Sequence, residues 1–254
     1  MVNFVGASCG AVDLITVRGK SLIEQADVII YAGSLVNPEL LDYAKNDCEI
    51  YNSAYMTLEE IIGVMQNAES QHKMTVRLHT GDPSIYGAIR EQMDALDKLH
   101  IDYEICPGVS AMFGASASLK AEYTLPDVSQ TVIITRRGGK TFVPERESIV
   151  SLASHQATMV IFLSTSMLDE LSKELIQGGY REDTPCAIVY KATWRDEKIC
   201  RCTVSTLFQT AKENNITKTA LICVGNFLGD KYSLSKLYDK NFETEYRKIV
   251  SDKQ

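Results

Sequence analysis

The loop between residues 79 and 87 holds the side chains best suited to chemistry. It reads His79-Thr80-Gly81-Asp82-Pro83-Ser84-Ile85-Tyr86-Gly87 and follows a predicted strand. Gly81 permits close approach of a ligand to the backbone, Asp82 offers a carboxylate, and His79 can exchange protons near neutral pH. Each has an ordinary structural interpretation as well, since aspartate caps helices and a lone histidine is more often structural. No Ser/His/Asp or Cys/His arrangement and no pair of carboxylates is evident, so the pattern indicates a reaction that needs few protein acids or bases.

The first loop of the chain, Gly6-Ala7-Ser8-Cys9-Gly10, is also made of small residues and follows the first predicted strand. Ser8 stands where the dinucleotide fingerprint requires its second glycine. The second predicted strand ends in Tyr31-Ala32-Gly33-Ser34, which supplies no carboxylate for a ribose diol. These departures count against nicotinamide binding and against the common Rossmann-type methyltransferases. A structural turn and a ligand-binding loop remain equally open for this segment.

Three basic side chains follow a strand in the second half of the chain: Arg136, Arg137 and Lys140. Gly139-Lys140-Thr141 is similar to the end of a phosphate-binding loop, but the leading glycine of that motif would fall at Ile134, inside a strand. On charge alone, a solvated loop is the more ordinary interpretation. A polycarboxylate ligand would favour a functional role, because arginine matches carboxylates in geometry and charge.

The composition restricts the class of protein. Among 254 residues, 26 Lys and Arg stand against 33 Asp and Glu, and the net charge of −7 disfavours broad nucleic-acid binding. The longest apolar runs have five residues, whereas a membrane helix needs about 20, and the N-terminus lacks the features of a signal peptide. Seven cysteines without a CxxC pair and four histidines without ligand spacing indicate reduced thiols, no metal site and a cytoplasmic location.

Short β-branched strands alternate with helical periodicity, which predicts an α/β fold of two domains. Residues 1–112 form the predicted N-terminal α/β domain, with a largely parallel sheet. Residues 113–254 form the predicted C-terminal domain, where the consecutive strands Cys186–Tyr190 and Lys198–Val204 indicate a mixed sheet and α+β character. In the tail, apolar residues at intervals of four predict an amphipathic helix through Leu234, Tyr238, Phe242 and Tyr246.

With these loops in view, the sequence resembles the tetrapyrrole methylases that use S-adenosyl-L-methionine as methyl donor. The glycine–aspartate–proline loop is typical of the whole family. Tyr31–Val36 and Ser129–Val132 resemble the branch that methylates carbon 11 of precorrin-4 or cobalt-precorrin-4 in cobalamin biosynthesis. The resemblance covers almost the whole chain, and it rests on Asp13–Val17, Ala26–Val36, Val76–Pro83, Pro107–Ser110, Ser129–Arg136, Glu182–Pro185, Val189–Trp194 and Leu237–Asp239.

The resemblance implies two α/β domains, a homodimer, and a cofactor held in the cleft between the domains. Asp82 is expected to orient this cofactor. The first loop departs from the family pattern Gly-Ala-Gly-Pro-Gly-Asp-Pro-Asp through Ser8, Cys9, Ala11 and Val12, which affects the expected geometry on the substrate side. By position, the implied cofactor contacts are Thr80, Gly81, Asp82, Ile85, Ser110, Ala111, Leu163, Ala192 and, at a family proline, Cys9.

The implied reaction transfers a methyl group from a sulfonium to an electron-rich carbon of the macrocycle, so the protein mainly holds two reactants in position. The substrate, with or without cobalt, carries many acetate and propionate groups. Arg136, Arg137 and Lys140 are therefore the predicted substrate contacts. Two alternatives remain open: a sibling methylase acting on another precorrin or on ribosomal RNA, and a non-catalytic nucleotide-binding module. The sequence identifies no catalytic base.

Overall fold

The computed structural model describes residues 1–248, apart from the side chain of Ser34. The chain packs as two compact units. The first unit contains Met1–Lys120 and two later stretches, Val189–Ile199 and Ile216–Leu221. The second unit contains Ala121–Ile188, Cys200–Asn215 and residues 222–248. The predicted domain boundary at residue 112 stays a prediction. The first continuous stretch of the first packing unit ends at Lys120.

Five parallel strands form the sheet of the first unit, as the strand–helix alternation predicts. The strands are β1 (Val2–Gly6), β2 (Val28–Tyr31), β3 (Glu49–Asn52), β4 (Thr75–His79) and β5 (Tyr103–Cys106). Their order is β3-β2-β4-β1-β5, so the two strands with fully buried residues, β1 and β4, lie inside the sheet. The edge strand β3 was not predicted from the sequence, because it is short, half-exposed and without a continuous apolar run.

Four helices accompany this sheet, and the N-termini of the first two follow the capping patterns in the sequence. Thr16 accepts a hydrogen bond from Gly19 N at 3.0 Å at the start of the first helix. Thr57 and Glu60 form a reciprocal capping box at the start of the second. Within residues 1–248, no helix is both long and apolar enough to cross a bilayer. The helices are α1 (Val17–Gln25), α2 (Leu58–Ser70), α3 (Arg90–Lys98) and α4 (Ala111–Leu119).

A second sheet of five strands is mixed, as predicted. The order is β6-β7-β10-β8-β9; β6 and β7 pair in parallel, and β7 and β10 pair antiparallel. The strands are β6 (Val132–Arg136), β7 (Thr158–Phe162), β8 (Pro185–Tyr190), β9 (Lys198–Thr203) and β10 (Ala220–Val224). The helices of this half are α5 (Ile149–Ala153), α6 (Leu168–Gln177) and α7 (Leu207–Glu213).

The prediction of a terminal helix through Leu234 and Tyr246 is wrong for the described part of the tail, which ends at residue 248. Only a 3-10 turn at Lys236–Tyr238 forms there. Both residues are largely exposed, at 82% and 93%, so the chain buries no apolar face that would stabilise a helix. The Arg247 guanidinium instead donates to three backbone carbonyl groups and holds the segment as a loop; these belong to Leu237, Asp239 and Phe242.

The core on one face of the first sheet contains two buried basic side chains of β4. Arg77 donates to the Gln92 side chain at 3.0 Å and to the Ile30 carbonyl at 3.1 Å. His79 is 3% exposed beside the Phe4 ring, and its Nε2 is buried without a hydrogen-bond partner. Burial, aided by the charge of Arg77, lowers the pKa of His79 to about 3. His79 is therefore neutral near pH 7, which favours the structural interpretation of this residue over the acid–base one.

Burial of neutral His79 predicts a stability that falls as the solution is acidified. The unfolded chain takes up a proton at His79 near pH 6.5, whereas the folded chain does so only near pH 3. Between those values the free energy of unfolding should fall by about 1.4 kcal/mol per pH unit from this group. Denaturation of the wild type and His79→Gln at about pH 7.5 and about pH 5 should show the wild type losing about 2 kcal/mol more. Equal losses would contradict this assignment.

Candidate functional site

The loops that follow β1, β4 and β5 meet at the carboxyl edge of the first sheet. Ser8 and Gly81 form an antiparallel bridge, in which Ser8 N donates to Gly81 O at 3.2 Å and Gly81 N donates to Ser8 O at 2.9 Å. Val109 N donates to the Ser8 hydroxyl at 3.1 Å. The loops after β1, β4 and β5, called here the first, second and third loop, are distant in sequence but are joined by these hydrogen bonds, and together we call them the loop floor.

Glycines make this loop floor possible, because its backbones approach more closely than side chains permit. A Cβ on Gly6 would lie 2.6 Å from both Gly108 Cα and Gly81 O. Gly81 also has φ +64°, a conformation that favours glycine. A Cβ on Gly81 would lie 3.5 Å from Ser110 Cα and Ala111 N, so these two predicted contacts lie beside it. The sequence-predicted residues of the second and third loops are thus brought together.

The carboxylate of Asp82 is engaged within the loop floor itself. One oxygen accepts from Ser84 N at 2.9 Å and from Ser84 Oγ at 2.5 Å, and the other accepts from Gly108 N at 2.9 Å. Desolvation raises the pKa of Asp82, but these hydrogen bonds outweigh it, so the pKa lies below its ordinary value. Ile85 N donates to the Asp82 carbonyl at 3.2 Å and closes the turn. The geometry therefore gives Asp82 the structural role of fixing two loops.

One polar group of the loop floor has no partner. The Thr80 hydroxyl oxygen is buried and makes no hydrogen bond to the described residues. A buried polar atom without a partner is costly, and a ligand with a donor or acceptor would remove that cost. Within residues 1–248, no group of three or more His, Cys, Asp or Glu side chains is placed to hold a metal ion.

A later stretch of the first unit contacts the loop after β1. Thr193 Oγ1 accepts from Ala11 N at 3.0 Å and lies 3.6 Å from Cys9 Sγ. Ala192 is buried, and a Cβ on Gly10 would lie 2.8 Å from its carbonyl oxygen. The two remaining first-unit residues of the predicted cofactor set, Cys9 and Ala192, are therefore neighbours. Burial raises the pKa of the Cys9 thiol, so it is not an activated nucleophile.

A carboxylate that the sequence analysis missed holds this stretch in place. Glu197 accepts from Thr193 N at 2.5 Å and from the Ser118 hydroxyl of α4 at 2.5 Å. Thr193 has φ +69° and Lys191 φ +47°, an unfavourable conformation for residues with a Cβ. Ser8, Thr193 and Glu197 all act through contacts between distant segments. The only signal in the sequence was the departure of Ser8 from the family glycine.

In the second unit, the last predicted cofactor contact lies at the end of β7. Leu163 has φ +50° and is 60% exposed. The fully buried hydroxyl of Ser164 donates to the Phe162 carbonyl at 2.7 Å and accepts from Arg137 N at 2.9 Å. This one hydroxyl thus joins the ends of β6 and β7, and Leu163 projects from the junction. That Leu163 contacts the cofactor stays a prediction.

The three predicted substrate contacts of the second unit have different environments. Arg137 forms a two-point ion pair with Glu174, at 2.9 and 2.7 Å, which gives it a structural partner. The Arg136 guanidinium donates to the Phe142 carbonyl at 2.9 Å and thereby closes its own loop. Lys140 is exposed at the tip of that loop. Of the three, Lys140 is the side chain best placed to meet an anionic ligand.

The close approach at Gly6 predicts a specific intolerance to a methyl group. Gly6→Ala should destabilise the fold by about 1–3 kcal/mol, because its Cβ would push the three loops apart. Gly63 in α2 is the matched control: a Cβ there meets nothing within 4 Å, and alanine favours helix. Gly63→Ala should therefore stabilise the protein by about 0.5–1 kcal/mol in the same denaturation experiment. Wild-type stability in Gly6→Ala would refute the close packing of the loop floor.

Comparisons with known proteins agree with this geometry. Residues 1–207 match the family model of the Tetrapyrrole (Corrin/Porphyrin) Methylases. The chain is 62% identical over 248 residues to the cobalt-precorrin-4 C(11)-methyltransferase of Methanocaldococcus jannaschii, covering 97% of this chain and 96% of that protein. The X-ray structure of a cobalt precorrin-4 methyltransferase matches with TM-score 0.88 and 47% identity, covering 90% of this chain and 96% of that one.

A more distant solved structure shares the fold. The uroporphyrin-III C-methyltransferase of Thermus thermophilus, complexed with S-adenosylhomocysteine, matches with TM-score 0.73 at 20% identity over 89% of this chain and 92% of that one. This chain, with its parallel sheet, its mixed sheet and its loop floor, therefore belongs to the tetrapyrrole methylase family.

Proposed function

We propose that this protein transfers a methyl group from S-adenosyl-L-methionine to carbon 11 of cobalt-precorrin-4 or precorrin-4, giving the corresponding precorrin-5 in cobalamin biosynthesis. The observation that carries the proposal is the glycine-lined loop floor in a chain 62% identical to a cobalt-precorrin-4 C(11)-methyltransferase. The fold relative complexed with S-adenosylhomocysteine supports a cofactor of this kind.

The residues of the first unit fit such a cofactor. The buried Thr80 hydroxyl offers an unused hydrogen bond, and the bare backbone around Gly81 leaves room that a side chain would fill. When bound, the cofactor would supply an electrophilic methyl group on a sulfonium. The first-unit residues that would hold it are Cys9, Thr80, Gly81, Asp82, Ile85, Ser110, Ala111 and Ala192, and Leu163 is the candidate from the second unit.

The protein's own contribution is positioning rather than proton transfer. Asp82 is ionised and turned into its loop, His79 is buried and neutral, and Cys9 is a protonated thiol. None of these groups is arranged as a general base. An electron-rich substrate carbon needs none before attack, so the chain need only align the two reactants and exclude water.

The substrate carries many carboxylates, which gives the basic loop of the second unit a purpose. Arg136 shapes this loop by closing it on the Phe142 carbonyl, and Arg137 anchors it to α6 through Glu174. Lys140 is left as the exposed cation that would meet a propionate or acetate group. We further propose that the protein is cytoplasmic and forms a homodimer. Sedimentation velocity at several protein concentrations tests the dimer.

Cofactor binding tests the proposal before any substrate is needed. S-adenosylhomocysteine should bind the wild type in calorimetry, and Thr80→Val should weaken binding by about 2–12-fold, the loss of one hydrogen bond. Thr217→Val, at an exposed position of the same unit, should bind like the wild type. Failure of the wild type to bind S-adenosylhomocysteine would remove the proposal.

The Lys140 contact predicts an electrostatic effect on substrate binding alone. Lys140→Ala should raise KM for the tetrapyrrole about 2–5-fold while leaving KM for S-adenosylmethionine unchanged, and added salt should shrink the difference. Lys212→Ala is the control, an exposed lysine of α7 in the same unit. An unchanged tetrapyrrole KM in Lys140→Ala would show that this lysine does not meet the substrate.

A further inference from the structure

Ser8 occupies a conformation that its residue type disfavours. Its φ is +61°, and it is 2% exposed. An L-residue with a Cβ is strained there, whereas the family glycine at this position would not be. The chain thus keeps a strained, buried polar side chain in the loop after β1. Such strain persists where the surrounding contacts compensate for it.

The Ser8 hydroxyl supplies that compensation by closing a ring of hydrogen bonds. The backbone of Ser8 pairs with Gly81 in both directions, and its hydroxyl accepts from Val109 N at 3.1 Å. Gly108 N, one residue earlier, donates to the Asp82 carboxylate at 2.9 Å. The ring therefore runs from the first loop to the second, from the second to the third, and back to Ser8.

All three links in this ring contain or adjoin a predicted cofactor contact. Gly81 and Asp82 belong to the second loop, and Val109 directly precedes Ser110 and Ala111. The first loop also lacks the two prolines of the family pattern, so its backbone has more freedom to lose on ordering. A side-chain hydrogen bond between the first and third loops restricts the same freedom by another route.

We propose that Ser8 is a positioning residue of the cofactor site: its hydroxyl holds the third loop against the first, whose backbone pairs with the second, and thereby sets cofactor affinity. Ser8 acts through Val109 and Gly81 and does not itself contact the reacting atoms. This inference rests on the proposed function, because it assigns Ser8 to the same site. A glycine, which the family pattern has at this position, has no hydroxyl and could not play this part.

Two variants separate the hydroxyl from the backbone strain. Ser8→Ala keeps the Cβ and its strain, Ser8→Gly relieves the strain, and both leave Val109 N without its acceptor. Both should weaken S-adenosylhomocysteine binding about 5–20-fold in calorimetry, with a parallel rise in KM for S-adenosylmethionine. The tetrapyrrole KM and kcat should change less than twofold. Ser116→Ala, whose hydroxyl donates to the Phe113 carbonyl within α4, should bind as the wild type does.

The outcomes distinguish this inference from the proposed function. If the wild type binds S-adenosylhomocysteine and either Ser8 variant binds within twofold of it, the hydroxyl serves folding alone and the inference is overturned. If Ser8→Ala does not fold, Ser8→Gly decides by the same criterion. Non-additive losses in Ser8→Ala combined with Asp82→Asn would support the ring, since both substitutions open it. Absence of binding by the wild type itself refutes the proposed function.

Discussion

The contact between three backbones at the carboxyl edge of the parallel sheet is the constraint on which the site depends. Gly6, Gly81 and Gly108 lie so close together that a Cβ on Gly6 or Gly108 would stand within 3 Å of the Gly81 carbonyl oxygen and force the loops after β1, β4 and β5 apart. Parallel strands bring their carboxyl ends to one edge, but only glycine lets those ends pack against each other. The result is a tightly packed backbone junction, with the predicted contacts Thr80 and Ser110 beside it.

The electrostatics of this site explain why no acid or base could be assigned. The carboxylate of Asp82 is satisfied by Ser84 and Gly108, and the imidazole of His79 lies neutral in the core below the loops. These polar groups shape the loops, and with both pKa values lowered neither Asp82 nor His79 changes its protonation state near pH 7. Methyl transfer from a sulfonium to an electron-rich carbon needs alignment more than proton transfer, and a site built of backbone and non-titrating groups is compatible with it.

Strands with continuous apolar runs were predictable from the sequence, whereas features that depend on distant contacts were not. Val28–Tyr31 and Ala220–Val224 follow directly from such runs, but the half-exposed β3 carries no such signal. The spacing of Leu234 and Tyr246 suggested a helix that no apolar surface stabilises. In the site, the loop around Gly81 was found, yet the partner of Arg137 lies 37 residues away, and Glu197 reaches α4 across 79 residues. Such pairings become visible only in the folded chain.

The position of the new methyl group tests the central claim most directly. The purified wild type is incubated with S-adenosylmethionine and with either cobalt-precorrin-4 or precorrin-4, and NMR of the product locates the added carbon. We predict one added methyl group, bonded to carbon 11. A methyl group on another carbon, or no transfer to either tetrapyrrole by a protein that binds S-adenosylhomocysteine, would contradict it.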